Sequence, residues 1–462
     1  VARVQKNWKG NTLLGGMVTS VNRALDQPYL EDFMVRNAFT AGIDFTQYFK
    51  NRLYYIDVKG MLSSLHGSAG AITALQNSVA HYYQRASSAD YLGVDPTRRS
   101  LTGTGGYVKV GRKGNAKWNF SETFTWSSPG FDLNDMGYMK ETDYLMNETE
   151  IMYRQTDIWK IFRYNAFTLS QKNMWNYGGT PFSNNASLRW QSMTMNRYEW
   201  DVKETFAWNW LDSRLLRGGP DVRFGSYFLT SAKFNTDKAK RMMFMLKYEG
   251  DHNFEGNRFN TISPSLTFRL GNHVYLSGQL DYAWNTDEMQ YVATTSPLSS
   301  SSLTPYYYVM GHMDQKTYGL TLKLQVNVTP DISIQFYGAP FTSIAKYDDF
   351  KLAADTKSHT FENRFQRIDP DHLTYADGVY TIGEGAGQMP FRNPDFRFNE
   401  FRSNLVARWE YLPGSTLYFV WEHRMSNRDN WYSSGWGSNL DRMWGLPATN
   451  TFMIKMNYWF NL

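Results

Sequence analysis

The stretch YGLTLKLQVNVTPDISIQFYG constrains this chain more than any other. Leu320, Leu322, Leu324, Val326 and Val328 fall on one face of an extended backbone, and Thr321, Lys323, Gln325, Asn327 and Thr329 on the other, because successive side chains of a strand point to opposite sides. After a turn at Pro330 and Asp331, Ile332, Ile334 and Phe336 alternate with Ser333, Gln335 and Tyr337. NHVYLSGQLDYAW sets Val274, Leu276, Leu280, Tyr282 and Trp284 against His273, Ser277, Gln279 and Asp281. FRSNLVARWEY sets Phe401, Leu405, Ala407, Trp409 and Tyr411 against Arg402, Asn404, Arg408 and Glu410. The ending TFMIKMNYWFNL does the same, with Phe452, Ile454, Met456, Tyr458, Phe460 and Leu462 opposed to Lys455, Asn457 and Asn461. In these five segments every charged residue lies on the polar face, so each predicts a strand with one greasy and one wet side.

The greasy side must be covered by a second sheet or by lipid. A soluble sandwich or propeller alternates as well. Composition favours lipid: Tyr (31), Phe (30) and Trp (16) make 17% of the 462 residues, yet mean hydropathy is only -0.53. No run of about eighteen apolar residues exists for a transmembrane helix. Many aromatics at low hydropathy are expected of a transmembrane β-barrel, where alternate side chains meet lipid and aromatic girdles mark the interfaces. Connection lengths agree: tight links at WKGNT, FKNRL, KGNA, RQTDI, MNRY, LGNH, VTPDIS and LPGST alternate with longer stretches rich in Gly, Ser, Asn and Asp. The chain is therefore read as all-β, a large transmembrane antiparallel β-barrel in the bacterial outer membrane, with residues 1–462 forming one barrel domain.

About nineteen strand-length segments are visible, whereas bacterial single-chain barrels have even numbers. If WKGNT is a periplasmic turn, the first strand descends from outside, and at least one strand is expected upstream of Val1. No signal peptide is visible at Val1, so an exported chain has lost its leader or begins downstream of its true start. Zero cysteines exclude disulfides and Cys-ligated metals, and a net charge of +5 does not call for nucleic acid.

LGGMVTSVNR (residues 14–23), WSSPGFDLNDMGYMKETD (126–143), FRSNLVARWEYLPGSTLYFVWEHR (401–424) and the ending MNYWFNL carry a resemblance to a family. They resemble Bacteroidota outer-membrane proteins that join an N-terminal domain like family-nine carbohydrate-binding modules to an uncharacterised C-terminal barrel. The resemblance implies such a module and the first strands upstream of Val1, and carries over no catalytic motif. Nothing in the 462 residues looks like the module itself.

Within the long loop at 64–103, AGAITALQNSVAHYYQR spaces Ile72, Leu75, Val79 and Tyr82 as a short helix would, either constricting or lidding the lumen or merely stiffening the loop. Asp132, Asn134 and Asp135 in SPGFDLNDMG are weak calcium candidates, more simply read as an Asp/Asn-rich turn. RIDPDH and KYDDFK read as solvated loop charge. GTGGYVKVG and GEGAG lack the spacing and strand-to-helix context of a phosphate cradle. Nucleophile-elbow and zinc-helix motifs are absent and His is scarce at eight, so no catalytic residue and no cofactor is assigned.

Gln279, Asp281, Lys323, Gln325, Asn327, Arg402, Arg408, Glu410, Lys455 and Asn457 are expected to line the lumen. Leu320, Leu322, Leu324, Val326, Phe452, Ile454, Met456, Tyr458, Phe460 and Leu462 are expected to face lipid. Trp431, Trp436 and Trp444 are expected loop contacts for partners or glycans, or else loop packing and headgroup anchors. The expected function is a non-enzymatic barrel, either a channel for polar solutes or a subunit of an outer-membrane assembly. The alternatives are a plugged active transporter for large substrates such as glycans and a barrel hydrolase. Expected partners are outer-membrane lipid, lipopolysaccharide, and other outer-membrane proteins or glycans, without nucleic acid.

Overall fold

A computed structural model describes residues 1–85, 91–208, 210–271, 273–298, 306–430 and 436–460. The chain opens with β1 (Ala2–Trp8), β2 (Thr12–Asn22), α1 (Pro28–Glu31), β3 (Asn37–Phe49), β4 (Tyr54–His66) and α2 (Ala69–Gln76). It continues through β5 (Ser100–Arg112), β6 (Trp118–Ser127), β7 (Tyr144–Gln155), β8 (Phe162–Trp175), β9 (Pro181–Thr194) and β10 (Glu199–Trp208). The short β11 (Trp210–Asp212) and β12 (Val222–Phe224) precede β13 (Tyr227–Asn235), β14 (Met242–Asn253), β15 (Arg258–Leu270), β16 (Val274–Thr295), β17 (Tyr307–Asn327) and β18 (Ile332–Ala353). Four short strands follow, β19 (Phe365–Arg367), β20 (Leu373–Ala376), β21 (Val379–Ile382) and β22 (Met389–Arg392), and then β23 (Phe396–Leu412), β24 (Ser415–Asp429), α3 (Trp436–Trp444) and β25 (Thr449–Asn457).

Nineteen of these strands, β1–β10, β13–β18 and β23–β25, pair antiparallel with their sequence neighbours in one sheet, to which β19 adds a short edge on β18. This is the all-β architecture of a large transmembrane barrel, and no described helix is long and apolar enough to cross a membrane. The tight links fall together at one end of the strands, after β1, β3, β5, β7, β9, β13, β15, β17 and β23. Eight are the turns the sequence marks, and the ninth is residues 236–241, TDKAKR. The opposite end carries the longer connections, including 23–36, 67–99, 128–143, 209–226 and 354–395.

Register links the alternating faces from strand to strand. Phe120, Ile151, Leu169 and Leu188 form one continuous row through successive ladder pairs, and each is exposed. Leu276 pairs with Leu324, Leu324 with Phe336, Phe336 with Leu405, Leu405 with Trp421, and Trp421 with Phe452. This apolar face is the outer one, because the loop at 128–143 folds onto the opposite face of β4 and β5. Trp118 and Trp126 bracket the outer residues of β6, and Trp200 and Trp208 those of β10, as interfacial girdles do. Two carboxylates interrupt the outer face: Glu122 on β6 and Glu204 on β10, each midway between its pair of tryptophans.

The last strand departs from the sequence expectation. It stops at Asn457, paired with Thr416, because its partner β24 begins at Ser415. Tyr458 and Phe460 lie beyond the ladder, exposed, while the Trp459 N–H bonds Ser415 Oγ at 2.9 Å. Leu462, Trp431 and the side chain of Trp436 lie outside what is described. The helical spacing also ends early: α2 closes at Gln76, Val79 is exposed, and Tyr82 has φ 53°, which no helix accepts.

The edge strands pair on one side only, β1 with β2 and β25 with β24, and every residue in both is exposed. Nineteen alternating strands leave these two edges running in the same direction. Buried apolar clusters sit among the long connections rather than in the wall. One joins β17 and β18 to the small sheet β20–β22, a second gathers Ile72, Tyr83 and Leu92 around Leu65 and Leu101, and a third sets Leu216 and Val222 against Met289, Met310 and Phe365.

Candidate functional site

The candidate site is the inner face of the wall together with the loops knitted over its long-loop end. Sequence alternation places hydrophilic residues on this face, and the register sets them side by side. Gln279 donates to Asp281 at 2.8 Å, and Lys247 pairs with Glu249 at 2.7 Å, each two residues along a strand. Arg402 and Arg424 both reach Glu400 at 2.9 Å, and Arg408 bonds Glu410 at 2.5 Å. Gln325 donates to Asn327 at 3.4 Å, and Asn457 to Thr416 Oγ1 at 3.4 Å. Lys323 and Lys455, opposite Tyr337 and Tyr418, are exposed and have no ion-pair partner among the described residues. Cations and anions are thus interleaved, and most of these side chains stay half-exposed or exposed.

On the outer face, Leu324 and Val326 of β17 lead through the intervening ladders to Phe452 and Ile454 of β25, while Leu320, Leu322 and Met456 share that face in other rows. Trp444 of α3 lies with its ring 4.8 Å from that of Phe401 and is otherwise exposed.

The residues that organise the mouth are ones sequence reasoning set aside. Asp132 is buried: its Oδ2 faces His81 Nε2 at 2.8 Å, its Oδ1 accepts from Asn134 N at 2.7 Å, and its own N–H donates to Ser63 Oγ at 2.8 Å. Asn134 Oδ1 accepts from Met139 N, and Asp135 pairs with Arg23. The three candidate calcium ligands are thereby committed to a turn and two cationic or imidazole partners. Among the described residues no group of three or more His, Asp or Glu is placed to hold a metal. His81 Nδ1 faces the Pro129 carbonyl at 2.9 Å, so both ring nitrogens meet oxygen partners.

Phe131, next in the chain, explains the glycines of β5. A Cβ at Gly105 would lie 2.4 Å from the Phe131 ring, and one at Gly103 2.1 Å from the Phe131 nitrogen. GTGG is thus a flattened strip of inner wall that receives the 128–143 loop. Its signal was visible, but only coordinates show what fills it.

Further out, Arg85 and Asp143 form a buried pair at 2.8 Å, with the Tyr91 hydroxyl donating to Asp143 at 2.7 Å and the Tyr177 N–H at 3.1 Å. Burial pushes the Asp143 carboxyl above its ordinary range, against the lowering effect of Tyr91 and Arg85. The pair borders a cavity of about 260 Å³ that Glu141, Asp212, Arg214 and Trp210 also line. Arg364 is 1% exposed and closes the other side of the mouth. It grips Glu255 through two nitrogens at 2.7 and 2.9 Å and donates to the carbonyls of Ser358 and Arg223. Thr356 Oγ1 donates to the Asp221 carbonyl at 2.6 Å, and Tyr82 OH to the Arg214 carbonyl at 3.5 Å. Loops distant in sequence are therefore joined by buried polar contacts, whose satisfaction fixes one arrangement.

Comparison with known proteins follows from this geometry. The siderophore receptor PirA of Acinetobacter baumannii superposes with a TM-score of 0.41 at 9% identity, over 98% of this chain and 74% of that one. A mutant of the ferric enterobactin receptor PfeA of Pseudomonas aeruginosa gives 0.42 at 8% identity, over 96% of this chain and 72% of its own. No curated protein matches by sequence. Residues 66–462 match the family described as "Domain of unknown function (DUF5916)", and with so much of its length inside that match, the chain belongs to this family.

Proposed function

We propose that the protein is a non-enzymatic outer-membrane barrel that passes polar solutes along its inner face, under a mouth restricted by the knitted loops. The observation that supports this most is the division of the wall. One face carries exposed Val, Leu, Phe and Trp in register-linked rows, and the other carries paired, solvent-accessible charges of both signs. Hydrocarbon covers the first, while the second supports water, since its charges are solvent-accessible and many have a counter-ion or an amide beside them. Interleaved signs give weak preference between cations and anions. The loop at 128–143, seated on β4 and β5, narrows the path without filling it.

Single-channel recording in planar bilayers tests the reading. Discrete conductance with weak ion selectivity is expected from the purified, folded barrel. A folded protein that inserts and never conducts, with or without the 128–143 loop displaced, would overturn it.

A further inference from the structure

Glu122 stands where the wall is expected to be greasiest. On β6 the outer residues run Trp118, Phe120, Glu122, Phe124, Trp126, so the carboxylate is four residues, or about 13 Å of strand, from either tryptophan. Its oxygens accept from Asn147 Nδ2 and, at 2.6 Å, from Thr149 Oγ1 on β7. The next strand continues the band: Gln171 pairs with Thr149 in the ladder and Asn173 with Asn147. Gln171 is exposed, Asn173 is half-buried, and neither side chain makes a hydrogen bond among the described residues. A carboxylate and two amides without hydrogen bonds among the described residues thus sit together at mid-height on the outer wall. Glu204 on β10 is polar there too, but it accepts from Thr230 Oγ1 at 2.7 Å and its ladder neighbours are Leu188 and Thr230, with no amide beside it. Polar groups in hydrocarbon without partners are costly, and where they persist they mark contacts.

We propose that this outer face of β6–β8 is the interface at which two copies of the chain meet side by side in the membrane. The band is self-complementary. Its anion lies at one edge, on β6, and its free amide donors at the other, on β8, with β7 between. Copies inserted the same way are related by a two-fold axis along the membrane normal, which preserves height and exchanges the edges. With the axis over β7, Glu122 of each copy meets the amides of Gln171 and Asn173 of the other, as an isologous contact requires. The rows above and below, Phe124 and Phe167 among them, supply exposed apolar surface to pack around the polar centre. The proposal rests on lipid covering the outer face, but not on the interior conducting.

The chain contains no cysteine, so single-cysteine variants report one contact each. Ile151→Cys lies on the outer face of β7 beside the axis, and Leu266→Cys on the outer face of β15 serves as the remote control. Both are expressed as the full chain, oxidised in native membranes and run without reductant, with heat-modifiable migration confirming that each barrel is folded and inserted. Ile151→Cys is expected to give a disulfide-linked homodimer and Leu266→Cys to remain monomeric. Adding Gln171→Leu with Asn173→Leu is expected to lower the dimer yield at least tenfold while the folded monomer persists. Equal yields at both positions, no homodimer at Ile151→Cys in a folded barrel, or an adduct with a different protein would overturn the proposal. Loss of heat-modifiable folding in both variants would instead indict the membrane reading beneath it and remove the proposal with it.

Discussion

Removing the Phe131 ring is the most informative single change, because that ring holds the 128–143 loop against the inner wall. It is buried and lies over Gly103 and Gly105, where no side chain competes for the space. Phe131→Ala forfeits the burial of one aromatic side chain and leaves a void over two glycines that cannot fill it. Such truncations cost roughly 3–5 kcal/mol. If that loss falls on the seated state of the loop, the ratio of seated to released loop drops by roughly a hundredfold to a few thousandfold, at about 1.4 kcal/mol per decade. Gly105→Leu attacks the same contact from the wall, since even a Cβ there meets the ring at 2.4 Å. Both variants are therefore expected to raise single-channel conductance or open probability in planar bilayers, and to make residues 128–143 newly sensitive to protease. Two variants indistinguishable from wild type in both assays would show that the loop does not narrow the path.

Other outcomes follow from the mouth. Arg364→Ala deprives Glu255 and three carbonyls, those of Ser358, Arg223 and His359, of their donor, a loss of roughly 3–5 kcal/mol. Hydrogen exchange is expected to speed up in 209–226 and 354–395 but not in β2–β5. The Tyr83 phenol is pushed up to about 12 from 10.0 by burial. Because the folded value exceeds the unfolded one, its contribution is whole below pH 10 and declines as pH rises toward 12. Several buried phenols, Tyr91 among them, are raised as well, so Tyr83→Phe is expected to lower the number of late-titrating tyrosinates in an ultraviolet titration by one. His81→Ala, which strips Asp132 and the Pro129 carbonyl of their shared partner, is expected to release the same loop as Phe131→Ala, read by protease sensitivity.

Much of the wall was legible because period two is a local signal. The rows on β16, β17, β23 and β25, and eight of nine tight turns, could be read without knowing any neighbour. Residues 236–241 escaped although TDKAKR is no poorer in turn residues than RQTDI, which was read; Gly, Pro and Asn mark only some of these turns, and the strand ladders locate the rest. The mouth was not legible, since His81 and Asp132, or Arg364 and Glu255, are 51 and 109 residues apart and meet only when the ladders bring their loops together. Glu122 is a different case. Its place in line with Phe120 and Phe124 is written in NFSETFTW, but its meaning depends on Asn147, Thr149 and Gln171 arriving beside it. The ending was over-read: alternation runs to Leu462, yet pairing stops at Asn457 where β24 offers no further partner.

The central claim, that lipid is the solvent of the outer face, is tested most directly by two neighbouring arginines on β17. Leu322→Arg points outward at mid-height and Thr321→Arg inward, so they share backbone, strand and depth. Unfolding free energies measured reversibly in lipid vesicles are expected to fall by about 2–4 kcal/mol for Leu322→Arg and to change little for Thr321→Arg. Equal losses, or a greater loss for Thr321→Arg, would contradict the account.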